Sequence, residues 1–307
     1  MKVIDLHTHG IGGYDTRTPD EKDILAVAAT QGSLGVAEIV PAIYPAAIKV
    51  MRKHMDAVRK AMERQKAPGA ELRASSSGSR QPAKIIGVHL EGPFLNPLQC
   101  GALEATAFLE PTEYHLQELI EGFEDIVKII TIAPELKGAP GTIRKMADKG
   151  IVPSMGHSAA TYSEAENGFN AGARGITHIF NAMRCFHHRE PGIAGFGLLN
   201  REVYIEVIAD PFHLHPATIG LIFKVKNPER IIIVSDSVSG SKMSGSGQGV
   251  TDSGGKLVGG SMTIMESARQ LVAMGFEKNA VMKCVTVNPS RYLTVSRQEE
   301  ETSLTGN

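Results

Sequence analysis

The sequence predicts an α/β fold, a (β/α)8 barrel of the TIM type. Three observations carry this. Eight short Ile/Val-rich runs recur along the chain, a helix-like stretch follows most of them, and the runs lack strict apolar–polar alternation. Absence of alternation is expected of parallel strands buried on both faces. Strands alternating with helices favour a parallel sheet, and eight of them favour closure into a barrel over a doubly wound sheet. The chain has 307 residues. Length alone fits either two domains of about 150 residues or one barrel of about 250.

The predicted strands are 2–7, 37–43, 84–90, 126–132, 151–155, 175–180, 204–209 and 230–234. Thr18-Pro19-Asp20-Glu21 predicts the start of the first helix, with Thr18 as cap, proline at the first position and a capping-box glutamate. Ile24, Leu25 and Ala28 then share a face, and Gly32 ends the run. Thr161-Tyr162-Ser163-Glu164 repeats the capping box, with Gly172 as its stop. Stretches 47–64, 111–122, 142–149, 216–224 and 265–274 also read as helices, and 277–286 as an extra one. Segment 66–83 is a polar loop. Segment 238–261 is Gly/Ser-rich and follows the eighth strand, where barrels carry substrate loops. The barrel is expected over 1–290 and a polar tail over 291–307, with no internal repeat.

Composition excludes several classes. Thirty-two basic and 33 acidic side chains give a net charge of −1, with no basic stripe for nucleic acid. No apolar run approaches the ~18 residues of a membrane span. Asp5 stands where a signal peptide would be apolar, and Cys100, Cys185 and Cys284 form no pairing framework. Together these predict a cytoplasmic protein. Trp is absent and aromatics are 5%, which argues against stacking of bases or sugars as the main binding device.

Titratable residues gather at predicted strand ends: His7 and His9 on the first, Glu91 on the third, His157 on the fifth, His178 in the sixth and Asp236 on the eighth. In a barrel these ends converge on one rim. Imidazoles and carboxylates are ligands for Zn²⁺, Fe²⁺ or Mn²⁺. His7 and His9, two apart, leave the same face of an extended strand. Glu91 has two oxygens with which to bridge two ions, and Asp236 reads as a ligand, a general base or both. Taken singly, each has a plain structural reading as a hydrogen-bonded or capping residue; the joint pattern is what points to metal. His89 reads as structural, and His54, His115 and His215 as surface or helix residues.

The chain resembles the N-acetylglucosamine-6-phosphate deacetylases of the amidohydrolase superfamily. The resemblance runs through Ile4-Asp5-Leu6-His7-Thr8-His9-Gly10, Gly87-Val88-His89-Leu90-Glu91-Gly92-Pro93-Phe94, Gly156-His157-Ser158, Thr177-His178-Ile179-Phe180-Asn181-Ala182-Met183 and His187-His188-Arg189-Glu190-Pro191-Gly192. Ala209-Asp210, His213, Ser235-Asp236 and Gly259-Gly260-Ser261 complete it. It implies a metal-dependent amide hydrolase. Glu91, His157 and His178 match the principal metal ligands, His7 and His9 a pair that holds a second ion in some members, and Asp236 the catalytic acid/base. Asn181 and Ala182 match a substrate-binding pair, Arg189 and His213 groups that hold the sugar phosphate, and Leu257, Val258 and Gly259 a rim loop. Ala102 joins the substrate-binding set from the loop after Phe94. One or two divalent ions are implied, with zinc first, and a homodimer whose interface some of these contacts cross.

Three departures stand out. Leu103 occupies the place of a substrate-contacting histidine and cannot donate a hydrogen bond. The flanking strands that build the family's small β-sandwich are not found in this sequence. Ser-Val-Ser-Gly follows Asp236 where an Ala-rich stretch is usual. The reading is hydrolysis of the N-acetyl group of an amino sugar phosphate. The alternatives are a binding protein on a decayed scaffold and an amidohydrolase for another N-acyl or cyclic amide.

Overall fold

The computed structural model describes residues 2–67, 81–242 and 249–295. Eight parallel strands follow one another around the sheet in chain order: β1 (Ile4–Thr8), β2 (Glu38–Ile43), β3 (Val88–Phe94), β4 (Val127–Ile132), β5 (Val152–Met155), β6 (Gly175–Ile176), β7 (Tyr204–Ile208) and β8 (Ile231–Val234). Eight helices alternate with them: α1 (Glu21–Ser33), α2 (Ile48–Lys66), α3 (Glu113–Ile120), α4 (Ala139–Asp148), α5 (Tyr162–Asn170), α6 (Gly192–Leu199), α7 (Pro216–Val225) and α8 (Ile264–Ala273). Lys278–Val285 and Val287–Tyr292 follow as α9 and α10. The (β/α)8 expectation is borne out. No described helix is long and apolar enough to cross a membrane.

The β8–β1 seam closes at its upper end. Asp236 N donates to His7 O at 2.9 Å and His9 N to Ser237 O at 2.7 Å. Below, side chains replace the ladder: Asp5 Oδ1 accepts from Ser235 N at 3.2 Å, and Thr8 and Ser237 hydroxyls meet at 2.8 Å beneath Gln31 of α1.

The lumen is tiered. Its floor is Ile4, Leu6, Val40, Ile129, Val152, Tyr204 and Ile232, plugged by Tyr292 from α10. Gly175 is obligatory here, because a Cβ would fall 1.9 Å from the Tyr292 hydroxyl. The next tier is polar: Ser154, Thr177, Thr131 and His89 form a chain with links of 2.7, 2.9 and 2.8 Å. Ionisable residues form the top.

Several boundaries depart from expectation for physical reasons. Asp20, not Thr18, caps α1 by accepting from Lys22 N; the Thr18 hydroxyl ties Asp20 N and the Asp23 carboxylate instead. The expected 84–90 strand splits at Gly87, whose φ of 151° breaks the run; Lys84–Ile85 pairs lower on β2 and β3 begins at Val88. The sixth strand ends at Ile176, because His178 and Phe180 take positive φ. The sequence gives no periodic signal for α6, GIAGFGLL, which is buried on nearly all sides. Its glycines weaken helix propensity but admit the sheet: a Cβ on Gly197 would meet Ile176 at 2.6 Å. The Thr161 capping box forms as expected. Most of the 66–83 loop and the tail from 296 lie outside the described residues.

Tyr292→Ala would empty the lumen floor. It is expected to lower unfolding free energy by about 3 kcal/mol or more in urea denaturation; a change under about 1 kcal/mol would mean that the plug is not part of the core.

Candidate metal centre and active site

A β-bulge decides which side chains of β1 face the lumen. Asp5 pairs with Ile39 but Thr8 with Pro41, so three steps on β1 stand against two on β2. Ile4 and Leu6 point into the floor, and the extra residue turns His7 and His9 inward above them. Asp5 fills the bulge, its Oδ1 accepting from His7 N at 3.3 Å.

Glu91 of β3 is the hub. Its Oε1 lies 2.9 Å from His178 Nε2, 3.2 Å from His157 Nε2 and 3.5 Å from His7 Nε2, and its Oε2 lies 3.1 Å from His9 Nε2. Asp236 Oδ1 lies 3.5 Å from His7 Nε2 and 3.7 Å from His9 Nε2. All are buried or nearly so. His157, His178 and Asp236 take φ of 47°, 30° and 46°, conformations that non-glycine residues hold only when their surroundings enforce them.

Hydrogen bonds on the far nitrogens set two of the tautomers. His157 Nδ1 donates to Gln99 O at 2.9 Å, and His7 Nδ1 to Glu206 Oε2 at 3.3 Å. Both Nε2 lone pairs then face Glu91, the arrangement of metal-binding imidazoles with an outer partner. His7 and His9 Nε2 stand 3.1 Å apart. Two ligands on one tetrahedral ion with bonds of 2.0–2.1 Å stand roughly 3.3 Å apart. The residues therefore fit a metal in two groups, Glu91–His157–His178 and His7–His9–Asp236. A third grouping, His7–His89–Glu206, does not fit. His89 spends Nδ1 on Leu6 O and Nε2 on Thr131, and burial holds its pKa down to about 3, so it is a neutral structural residue.

The two carboxylates meet opposite fates. Burial would push Glu91 up, but His9, His157 and His178 outweigh it and hold the carboxyl well below its usual range. Burial and the neighbouring Glu91 charge push Asp236 well above it.

Above lies a cavity of about 160 Å³, open to solvent. It brings together Ala102, Asn181, Ala182, His213, Leu257, Val258 and Gly259 with His9, Glu91, His157, His178 and Asp236. His7 sits fully buried beneath. Leu103 also lines the cavity. Arg189 does not. It lies in an exposed segment, its guanidinium beside His188 Nε2 at 3.0 Å. Asp210 accepts from His213 Nδ1 and from Ser261 N, each at 3.0 Å, leaving His213 Nε2 for the cavity. Burial opposes the Asp210 charge, but these bonds win and lower its pKa to about 2.

Sequence reasoning missed four contributors. Tyr44, the first residue after β2, stacks on His9 with ring centroids 3.8 Å apart and lines the cavity; the strand-end rule would have found it. Glu206, a lone acid in an Ile-rich strand, orients His7. Glu135 holds the His157 loop by accepting from Asn96 Nδ2, Ser158 Oγ and Ala159 N. Lys256 lines the cavity with no sequence signal beyond its place in the rim loop. Glu206→Gln is expected to weaken metal binding about 10- to 100-fold by competition with a chromogenic chelator; unchanged affinity would mean that His7 needs no outer partner.

Known proteins similar to this chain in sequence and fold are amino sugar phosphate deacetylases. No family model matches. The N-acetylgalactosamine-6-phosphate deacetylase of Escherichia coli O157:H7 is 29% identical over 95% of this chain and 77% of its own length. The N-acetylglucosamine-6-phosphate deacetylase of Bacillus subtilis is 30% identical over 83% of this chain, which spans 61% of that relative. Among solved structures, the N-acetyl-D-glucosamine-6-phosphate deacetylase of Mycobacterium smegmatis aligns with a TM-score of 0.83 at 27% identity, over 95% of this chain and 77% of that one. A mutant of that protein has been solved in complex with N-acetyl-D-glucosamine-6-phosphate. In sequence and in fold, over most of its length, the chain is similar to the N-acetylglucosamine-6-phosphate deacetylases.

Proposed function

We propose that this protein is a metal-dependent hydrolase that removes the N-acetyl group of an amino sugar phosphate, N-acetylglucosamine-6-phosphate first, giving glucosamine-6-phosphate and acetate. The observation that carries the reading is the convergence of four imidazole nitrogens on Glu91 with Asp236 beside them at the floor of an open cavity. Glu91, His157 and His178 would hold one divalent ion, with His7 and His9 available for a second; zinc suits the donor set, as do iron, manganese and cobalt. A bound ion supplies an acidified water and polarises the acetamide carbonyl.

The residues do the rest. Asp236, beside the His7 and His9 imidazoles and facing the cavity, is placed to take a proton from the attacking water and return it to the leaving amine. Atoms balance: water adds across the amide, acetate leaves with the oxygen, and the amine gains the proton. Asn181, Ala182 and the Leu257–Gly259 strand form the walls that position the sugar. Leu103 offers only apolar contact, so it takes no part in polarising the carbonyl. A homodimer in a cytoplasmic setting completes the reading, with the exposed Arg189 free to approach a neighbouring copy. N-acetylgalactosamine-6-phosphate is the second candidate substrate, because one relative bears that activity in its name.

Asp236→Asn is expected to cut acetate release from N-acetylglucosamine-6-phosphate by at least about a hundredfold while bound metal, measured by elemental analysis, is retained. A near-wild-type rate would remove Asp236 from the acid/base role.

A further inference from the structure

Lys256 is the cationic side chain, neither Arg nor a second Lys accompanying it, among the described residues that line the cavity. It lies in the loop that joins the paired strands Val250–Thr251 and Leu257–Gly259, immediately before Leu257. Its amine reaches across the mouth to the backbone carbonyl of Gly101. Among the described residues it forms no ion pair. A carbonyl carries only a partial charge, so the exposed ammonium keeps its charge for an anion entering the cavity that His213 also lines.

We propose that Lys256 selects for the phosphate of the substrate within a single chain, exchanging the Gly101 carbonyl for a phosphate oxygen when the sugar binds. The inference rests on the deacetylase reading and assigns the anion-recognising cation to this chain's own rim, whereas Arg189 lies outside the cavity.

The test compares wild type, Lys256→Met and Lys256→Arg on N-acetylglucosamine-6-phosphate and on N-acetylglucosamine. Loss of a charge-assisted hydrogen bond is expected to reduce the preference for the phosphorylated sugar by about 10- to 100-fold in kcat/KM, carried by KM. Lys256→Arg recovers most of it. An unchanged preference, or an equal loss on both sugars as a merely structural strap would give, overturns the proposal. If wild type releases acetate from neither sugar, the deacetylase reading falls. Lys256 is then judged by calorimetric titration with glucosamine-6-phosphate: binding weakened at least tenfold in Lys256→Met supports the anion site, and absent or undiminished binding overturns it.

Discussion

In the first strand, three steps from Asp5 to Thr8 oppose two on the second, and the extra residue changes which side chains see the lumen. Without it, the alternation that sends Ile4 and Leu6 into the floor would carry His7 and His9 toward the surrounding helices. With it, two imidazoles stand over an apolar floor and face Glu91. Asp5 secures the irregularity by bonding to His7 N and, across the seam, to Ser235 N. The same seam closes through Asp236 N and His9 N, so barrel closure and assembly of the proposed acid/base beside its ligands are one event.

Electrostatics then separates the carboxylates. Glu91, ringed by imidazoles, is held as an anion, while Asp236 is pushed toward its protonated form by burial and by Glu91. A buried carboxylate is costly unless its partners compensate it. Here they are Nε2 atoms whose orientation is fixed from behind, by Gln99 O for His157 and by Glu206 for His7.

Much of this was legible in the sequence. The eight Ile/Val runs located every barrel strand, because strands buried on both faces leave that signature. The cluster of proposed ligands was legible because barrel strands share a rim and strand-end residues therefore converge. What was hidden needed three dimensions. The bulge leaves no mark in the residue pattern Ile4–His9. The α6 helix, apolar all round, carries no periodicity. Glu206 and Glu135 act through other residues.

The most direct test of the account is acetate release from N-acetylglucosamine-6-phosphate by metal-stripped protein as Zn²⁺, Fe²⁺, Mn²⁺ or Co²⁺ is titrated back. The convergence on Glu91 predicts negligible release from the stripped protein and recovery that saturates with one or two ions per chain. Release that survives stripping, or none from folded, metal-loaded protein, would contradict it.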